Sequence, residues 1–156
     1  MSEKEYRLNV GLMIVNQEGK VWLGKRNDAK ISTKCYQMPQ GGIDEGETPI
    51  QAAYRELFEE TGLTQEQVEL IKESDYWYQY DIPKEVGFFE RFKGQRQKWF
   101  LFSFKGEDKD FNLETHPEEI EFSSFYWEDI ETIPSLVVEF KKEVYEKVVA
   151  EFKEYI

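Results

Sequence analysis

GGIDEGETPIQAAYRELFEETGL, residues 41–63, decides how the rest of the chain is read. Its second half carries the marks of a helix over residues 48–61. Thr48 can cap it, Pro49 suits the first helical position, Gln51 can close a capping box with Thr48, and Gly62 suits the exit. At about 100° per residue, Ile50, Ala53, Tyr54, Leu57 and Phe58 gather on one side and form an anchoring face. Glu56, Glu59 and Glu60 gather on a neighbouring arc, with small Ala52 among them and Arg55 at the far edge. That arc is costly. Like charges three or four residues apart destabilise a helix by roughly 0.2 to 0.5 kcal/mol per pair. Carboxylates in a last turn also face the negative end of the helix dipole, at about 0.3 to 1 kcal/mol each. Either the arc is a solvated charged face, as Glu-rich helices often are, or something positive offsets it. Three carboxylates on one rigid helix, beside a glycine-rich loop that offers carbonyls, suit a hard divalent cation such as Mg²⁺.

Working outward, 156 residues suffice for one domain with a sizeable core, and a single domain spanning 1–156 is expected. The net charge of −12, from 20 Lys and Arg against 32 Asp and Glu, argues against a general nucleic-acid binder. Neither DNA nor a membrane is expected as a partner, and a monomer is expected. Any phosphate substrate must meet local cations or metal. The single cysteine, Cys35, allows no intramolecular disulfide and favours a cytoplasmic setting. No signal-peptide core and no long apolar run is present. Cys35 reads as a packing or surface residue and His116, in ETHPEE, as a loop residue.

LNVGLMIVN and KVWLGKR flank the turn-like QEG and predict strands over residues 8–16 and 20–26. VELIKES, DYWYQYDIP, KWFLFSF and FSSFYW predict four more. KEVGFFERFKGQRQ, residues 84–97, has no clear period and reads as a loop near the site. Tyr76, Trp77, Tyr78 and Tyr80 lie along one strand, so half of them are expected in the core. From residue 135 onward Val137, Phe140, Val144, Val148 and Phe152 recur at helical spacing and predict a closing amphipathic helix. Strands and helices mix without regular alternation, which indicates an α+β or mixed-sheet class.

From Gly41 the chain reads Gly41, five residues, Glu47, seven residues, Arg55-Glu56-Leu57, one residue, Glu59-Glu60, one residue, Gly62-Leu63. This pattern resembles the Nudix box, the signature of Nudix hydrolases, at every fixed position. The resemblance implies a Nudix fold: α+β, a mixed β-sheet sandwiched between α-helices in an α/β/α arrangement. It also implies a loop-helix-loop that holds Mg²⁺, Mn²⁺ or another divalent cation, and hydrolysis of phosphoric anhydride bonds in nucleoside diphosphate derivatives. YRLNVG, QMPQGGIDEGE, YDIP, GQRQKWFLF and EFKKEVYEKVVAEF extend it over nearly the whole chain. Together they look like the bacterial RNA pyrophosphohydrolase and dinucleoside polyphosphate hydrolase subfamily. Two departures touch the rim of the site: a longer loop over 27–36, and QMPQ after Tyr36 where tryptophan is common.

By that resemblance Glu56, Glu59 and Glu60 hold metal, with the Gly41 carbonyl and Glu121 as further ligands. Arg55 orients a carboxylate through paired hydrogen bonds, and Glu47 ties the loop to the helix by accepting such bonds. Glu56 and Glu60 are both candidates for the group that takes a proton from water. Arg7, Arg26, Lys98 and Lys141 are expected to meet phosphate or base. Arg26 and Phe140 would form the two faces of a base clamp, with Val138 beside them, and Tyr80 stands where relatives that cleave diadenosine polyphosphates carry a tyrosine. The implied substrate is a nucleotide or an RNA 5′ end: conversion of an RNA 5′-triphosphate to a 5′-monophosphate. Asymmetric hydrolysis of diadenosine tetraphosphate to ATP and AMP is the alternative, and one enzyme could do both. A binding protein that has lost catalysis would show eroded box carboxylates, and here all four glutamates remain.

Overall fold

The structure, a computed structural model, describes residues 5–27, 35–83 and 92–156. Two long parallel strands form its centre: β1 (Glu5–Val15) and β7 (Phe92–Phe104), in register from Tyr6 against Gly94 to Val15 against Ser103. Each has different partners at its two ends. Around Asn9 to Gly11, β1 pairs antiparallel with β4 (Gln40–Gly42), and at Val15 it pairs with β2 (Val21–Arg26). β2 in turn carries β3 (Tyr36–Gln37) and β8 (Phe122–Glu128). Near its start β7 pairs with β6 (Tyr78–Asp81), and toward its end with β5 (Val68–Glu73). The result is one mixed sheet, eight strands among the described residues.

Alternation along β1 and β7 divides the apolar side chains between two faces. Val10, Leu12, Ile14, Phe100, Phe102 and Phe104 meet Ala52, Ala53 and Leu57 of helix α1 (Pro49–Thr61). Met13, Val15, Trp99 and Leu101 meet Val144, Tyr145, Val148 and Phe152 of helix α2 (Lys142–Phe152). Because a helix covers each face, the central strands are apolar on both sides, and LMIV reads as a continuous run. The implied α/β/α layering is the one observed.

Local chemistry fixes α1 as expected. Thr48 accepts from the Gln51 backbone and Gln51 reciprocates to the Thr48 N–H, Pro49 is the first helical residue, and Gly62 closes the helix at φ 78°. In that left-handed conformation a Cβ would be strained, and Asn112 would stand 2.8 Å from it. Two details of the helical wheel differ. Phe58, assigned to the anchoring face, is 46% exposed, while Ala52, placed in the acidic arc, is fully buried. The helix is rolled so that Glu56 and Glu60 turn inward with Ala52 and Ala53.

Other expectations are corrected by non-local pairing. The expected loop over 84–97 is strand from Phe92, where β7 lies between β1 and β6; residues 84–91, like most of the 27–36 loop, fall outside the described residues. The strand expected over DYWYQYDIP is confined to Tyr78–Asp81, and of its four aromatics only Tyr80 is fully in the core. The closing helix begins at Lys142 rather than near 135. A six-residue 3₁₀ helix at Ile130–Ser135, which includes Pro134, and a single 3₁₀ turn at Glu139–Lys141 precede it, with extended Val138 (ψ 144°) between them. Phe140 therefore leaves the apolar stripe of the helix. Cys35 is buried. No helix among the described residues is long and apolar enough to cross a membrane.

Candidate active site

Arg55 organises the acidic side of the site. Its Nε and Nη2 donate to the two oxygens of Glu47 at 2.9 and 2.8 Å, a forked pair that ties the loop to the helix. Nη2 also donates to the Gly42 carbonyl at 2.8 Å, and Nη1 reaches Glu56 Oε1 at 2.8 Å and Glu59 Oε2 at 3.2 Å. One guanidinium thus spans strand β4, the loop and two glutamates. The fork holds the Glu47 carboxyl below the usual carboxylate range.

Glu56 and Glu60 are each only 8% exposed. Burial pushes the Glu56 carboxyl up to about 7, the charge of Glu59 adds to this, and Arg55 opposes it. Burial raises the Glu60 carboxyl well above its ordinary range, the charges of Glu56 and Glu121 add to this, and a hydrogen bond from the Gln40 backbone opposes it. Its Oε2 is buried without a hydrogen-bond partner. Gly41 makes this packing possible: a Cβ there would lie 2.1 Å from Glu56 Cδ.

Among the described residues no three acidic, histidine or cysteine side chains already stand in a cation-holding group. Arg55 Nη1 occupies one oxygen of Glu56 and one of Glu59. The donor set nevertheless fits a hard divalent cation. Glu60 offers an unpartnered buried oxygen, the absence of a side chain at Gly41 leaves the backbone against Glu56, and a cation would reverse the repulsion that raises both carboxyls.

Glu56, Glu59 and Glu60 line a cleft of about 680 Å³. Glu119 and Glu121 line the same cleft, and so does His116, whose Nε2 is 3.9 Å from Glu59 Oε1. The loop that carries them is held to α1 by the Asn112 N–H on the Thr61 carbonyl at 2.8 Å and by Thr115 Oγ1 on the Glu59 carbonyl at 2.6 Å. Arg7, Arg26, Tyr80, Val138, Phe140 and Lys141 line it as well. The Tyr80 and Phe140 ring centroids are 5.7 Å apart, and Lys141 Nζ lies about 6 Å from each ring, as cation–π pairs do. Lys141 Nζ also donates to Gln37 Oε1 at 2.9 Å.

Lys98 is not among the residues that line this cleft. Successive β7 side chains face opposite ways; Gln95 and Gln97 point to the cleft side, so Arg96 and Lys98 point away. Lys98 Nζ instead lies 3.7 Å from Glu73 Oε2 and 5.7 Å from the centre of the Trp77 ring.

The sequence reading passed over the cleft floor. Asn9, Gln40, Gln95 and Gln97 line or adjoin it, and their side-chain amides are hydrogen-bonded to one another and to Tyr80 and Trp99. The one available signal was the period of two in GQRQKW, amides alternating with cations, which is a strand pattern.

Residues 5–148 match the NUDIX domain family model. RNA pyrophosphohydrolase of Bartonella henselae is 46% identical over 159 residues, covering 95% of this chain and 90% of its own. RNA pyrophosphohydrolase of Wolbachia pipientis subsp. Culex pipiens is 43% identical over 99% of this chain and 93% of its own. Among solved structures, the dihydroneopterin triphosphate pyrophosphohydrolase of E. coli shares the fold at TM-score 0.67 and 22% identity, over 94% of this chain and 99% of that one. A binary complex of the C. elegans Ap4A hydrolase shares it at TM-score 0.64 and 20% identity, with the same coverage. With a family match over most of its length and relatives at 43% and 46% identity, the chain belongs to the Nudix hydrolases.

Proposed function

We propose that this chain is a Mg²⁺-dependent pyrophosphohydrolase that converts RNA 5′-triphosphate ends to 5′-monophosphates, acting as a cytoplasmic monomer. The observation that carries the reading is the make-up of one cleft, in which Glu56, Glu59 and Glu60 stand together with Arg7, Arg26, Lys141 and an aromatic pair. Such a cleft suits a cation on its carboxylates and an anionic nucleotide on its basic and aromatic side chains. The curated relatives named RNA pyrophosphohydrolase support the same substrate class for this chain.

Nudix enzymes generally use divalent cations. In this reading Glu56, Glu59 and Glu60 hold the metal, and Glu121 and the Gly41 carbonyl complete the oxygen donors. Bound Mg²⁺ supplies neutralisation of phosphoryl charge and acidification of water. The protein's own part is positional. Arg55 aligns the carboxylates through its forked bonds to Glu47, Glu56 and Glu59. Glu56 or Glu60 takes the proton from the attacking water. The water oxygen bonds to phosphorus as a bridging P–O bond breaks, and pyrophosphate or successive phosphates leave. Arg26 and Phe140 stack the first base with Val138 beside them, while Arg7 and Lys141 meet phosphate oxygens.

The Tyr80 and Phe140 rings also favour a second reading, asymmetric cleavage of diadenosine tetraphosphate to ATP and AMP, because stacking on them needs no RNA chain. Parallel assays with Mg²⁺ on triphosphorylated RNA and on diadenosine tetraphosphate separate the two. Monophosphate ends on the RNA support the first reading. Cleavage of the dinucleotide alone supports the second, and cleavage of neither overturns both.

A further inference from the structure

We infer that Trp99, acting through Gln97, sets the direction of two amide branches in the cleft floor, so that Gln95 and Tyr80 present N–H and O–H donors to the polyphosphate of the substrate. The inference rests on the reading that this cleft takes a nucleoside polyphosphate. Gln95 is then a substrate-binding residue, and Trp99, Gln97, Asn9 and Gln40 are positioning residues.

An indole N–H can only donate, whereas a carboxamide can point either way. Trp99 is fully buried, and its Nε1 donates to Gln97 Oε1 at 3.0 Å. That contact fixes the Gln97 carbonyl toward the indole and turns its amino group the other way. There Nε2 donates to Asn9 Oδ1 at 2.8 Å and to Gln40 Oε1 at 3.3 Å. Each acceptance sets the next donation. With Oδ1 engaged, Asn9 donates through Nδ2 to Gln95 Oε1; with Oε1 engaged, Gln40 donates through Nε2 to the Tyr80 hydroxyl at 3.2 Å. Flipping any one of these amides would set two amino groups or two carbonyls against each other, at the cost of a buried unsatisfied pair.

Both branches end in donors. The Gln95 amino group and the Tyr80 hydroxyl proton have no acceptor among the described residues, although both side chains are 7% exposed. The exposure they retain is to the cleft. Arg7 and Arg26 act on the Tyr80 hydroxyl through their charge, but burial pushes it up to about 12, so it keeps its proton at neutral pH. Arg7 Nη2 lies so close to Gly42 that a Cβ there would be 2.2 Å from it. Neutral donors beside two guanidiniums recognise anionic oxygens without adding charge that would repel cations from the glutamates.

The test begins with Gln95→Glu, which can still accept from Asn9 but replaces the donor with an anion. With Mg²⁺ and a triphosphorylated oligoribonucleotide, KM should rise about tenfold to a hundredfold while kcat stays within about threefold. Trp99→Phe should raise KM less, and its effect in the Gln95→Glu background should be smaller than the product of the two, since a carboxylate has no direction to set. Should Trp99→Phe fail to fold, Gln97→Glu, which cannot donate to both Asn9 and Gln40, takes its place with the same expectation. An unchanged KM in Gln95→Glu, or effects that multiply in full, would overturn the inference. Calorimetry with Mg²⁺ and inorganic tripolyphosphate reads the same donors without turnover. Weaker binding in Gln95→Glu upholds the inference even if RNA is not cleaved, and equal binding refutes it.

Discussion

Replacing Glu56 with Gln should make the metal-free protein more stable at neutral and alkaline pH, and not near pH 4.5. The Glu56 carboxyl is raised from its ordinary 4.5 to about 7 by burial and by the charge of Glu59. A carboxyl whose pKa is higher folded than unfolded keeps its proton longer in the native state, so stability falls as pH rises from about 4.5 through about 7. At about 1.36 kcal/mol per pH unit the whole interval amounts to roughly 3 kcal/mol, of which screening at the open side of the cleft leaves about 2 to 3. Gln mimics the protonated form, fills the same space and can still accept from Arg55 Nη1, which now donates to Glu56 Oε1 at 2.8 Å. Urea or thermal unfolding in EDTA at pH 5 and pH 8.5 reads the difference. At the lower pH the two proteins should differ by no more than about 1 kcal/mol. At the higher one the variant should be ahead by about 2 kcal/mol, or about 4 to 8 °C in Tm for a chain of this size. A gap that is the same at both pH values, or a variant that is the less stable at pH 8.5, would refute the claim that the buried carboxylate is a strained charge awaiting a cation. Glu47 has the opposite sign, its pKa being lowered by Arg55, so its contribution is lost as pH falls; starting the window at pH 5 keeps the two apart.

Three further outcomes follow from the same geometry. Gln at both Glu59 and Glu60 should abolish Mg²⁺-dependent turnover while circular dichroism shows the fold intact; full activity in that double variant would remove the metal-site reading. Gly41→Ala places a Cβ 2.1 Å from Glu56 Cδ, so the side chain must move aside. Its kcat should fall about a hundredfold for roughly an ångström of displacement, with Tm changed by only a few degrees in a thermal melt. Arg55→Lys keeps the charge but loses the fork that joins Glu47, Glu56 and the Gly42 carbonyl; urea unfolding should register a loss of about 2 to 3 kcal/mol, and activity should fall with it.

Helix α1 was legible almost residue by residue because its signals are local. Thr48, Pro49, Gln51 and Gly62 act within one turn of where they stand. The roll of that helix was not legible. Whether Ala52 or Phe58 faces inward depends on how closely β4 approaches, and Gly41 permits that approach only in three dimensions. The same holds for β7. Its first residues look like loop because amides and cations alternate there, and only pairing with β1 and β6 makes Gln95 and Gln97 the floor of the cleft and sends Lys98 to the far side. Phe140 fitted the helical stripe by spacing, but the extended Val138 and the 3₁₀ turn at Glu139–Lys141 hold it at the cleft instead. His116, read as an ordinary loop residue, stands by Glu59 because Asn112 and Thr115 fasten its loop to the end of α1.

In the proposed cation site of Glu56, Glu59 and Glu60, the buried carboxyls of Glu56 and Glu60 hold excess protons until metal arrives. Titrating Mn²⁺ into the metal-free protein at pH 6.5, in buffers of different ionisation enthalpy, measures binding and proton release together. The account predicts saturable binding with net release of protons per Mn²⁺, diminishing toward pH 8.5, and no such binding in the Glu59→Gln, Glu60→Gln double variant. Binding without proton release at pH 6.5, or binding that survives the double substitution, would contradict it.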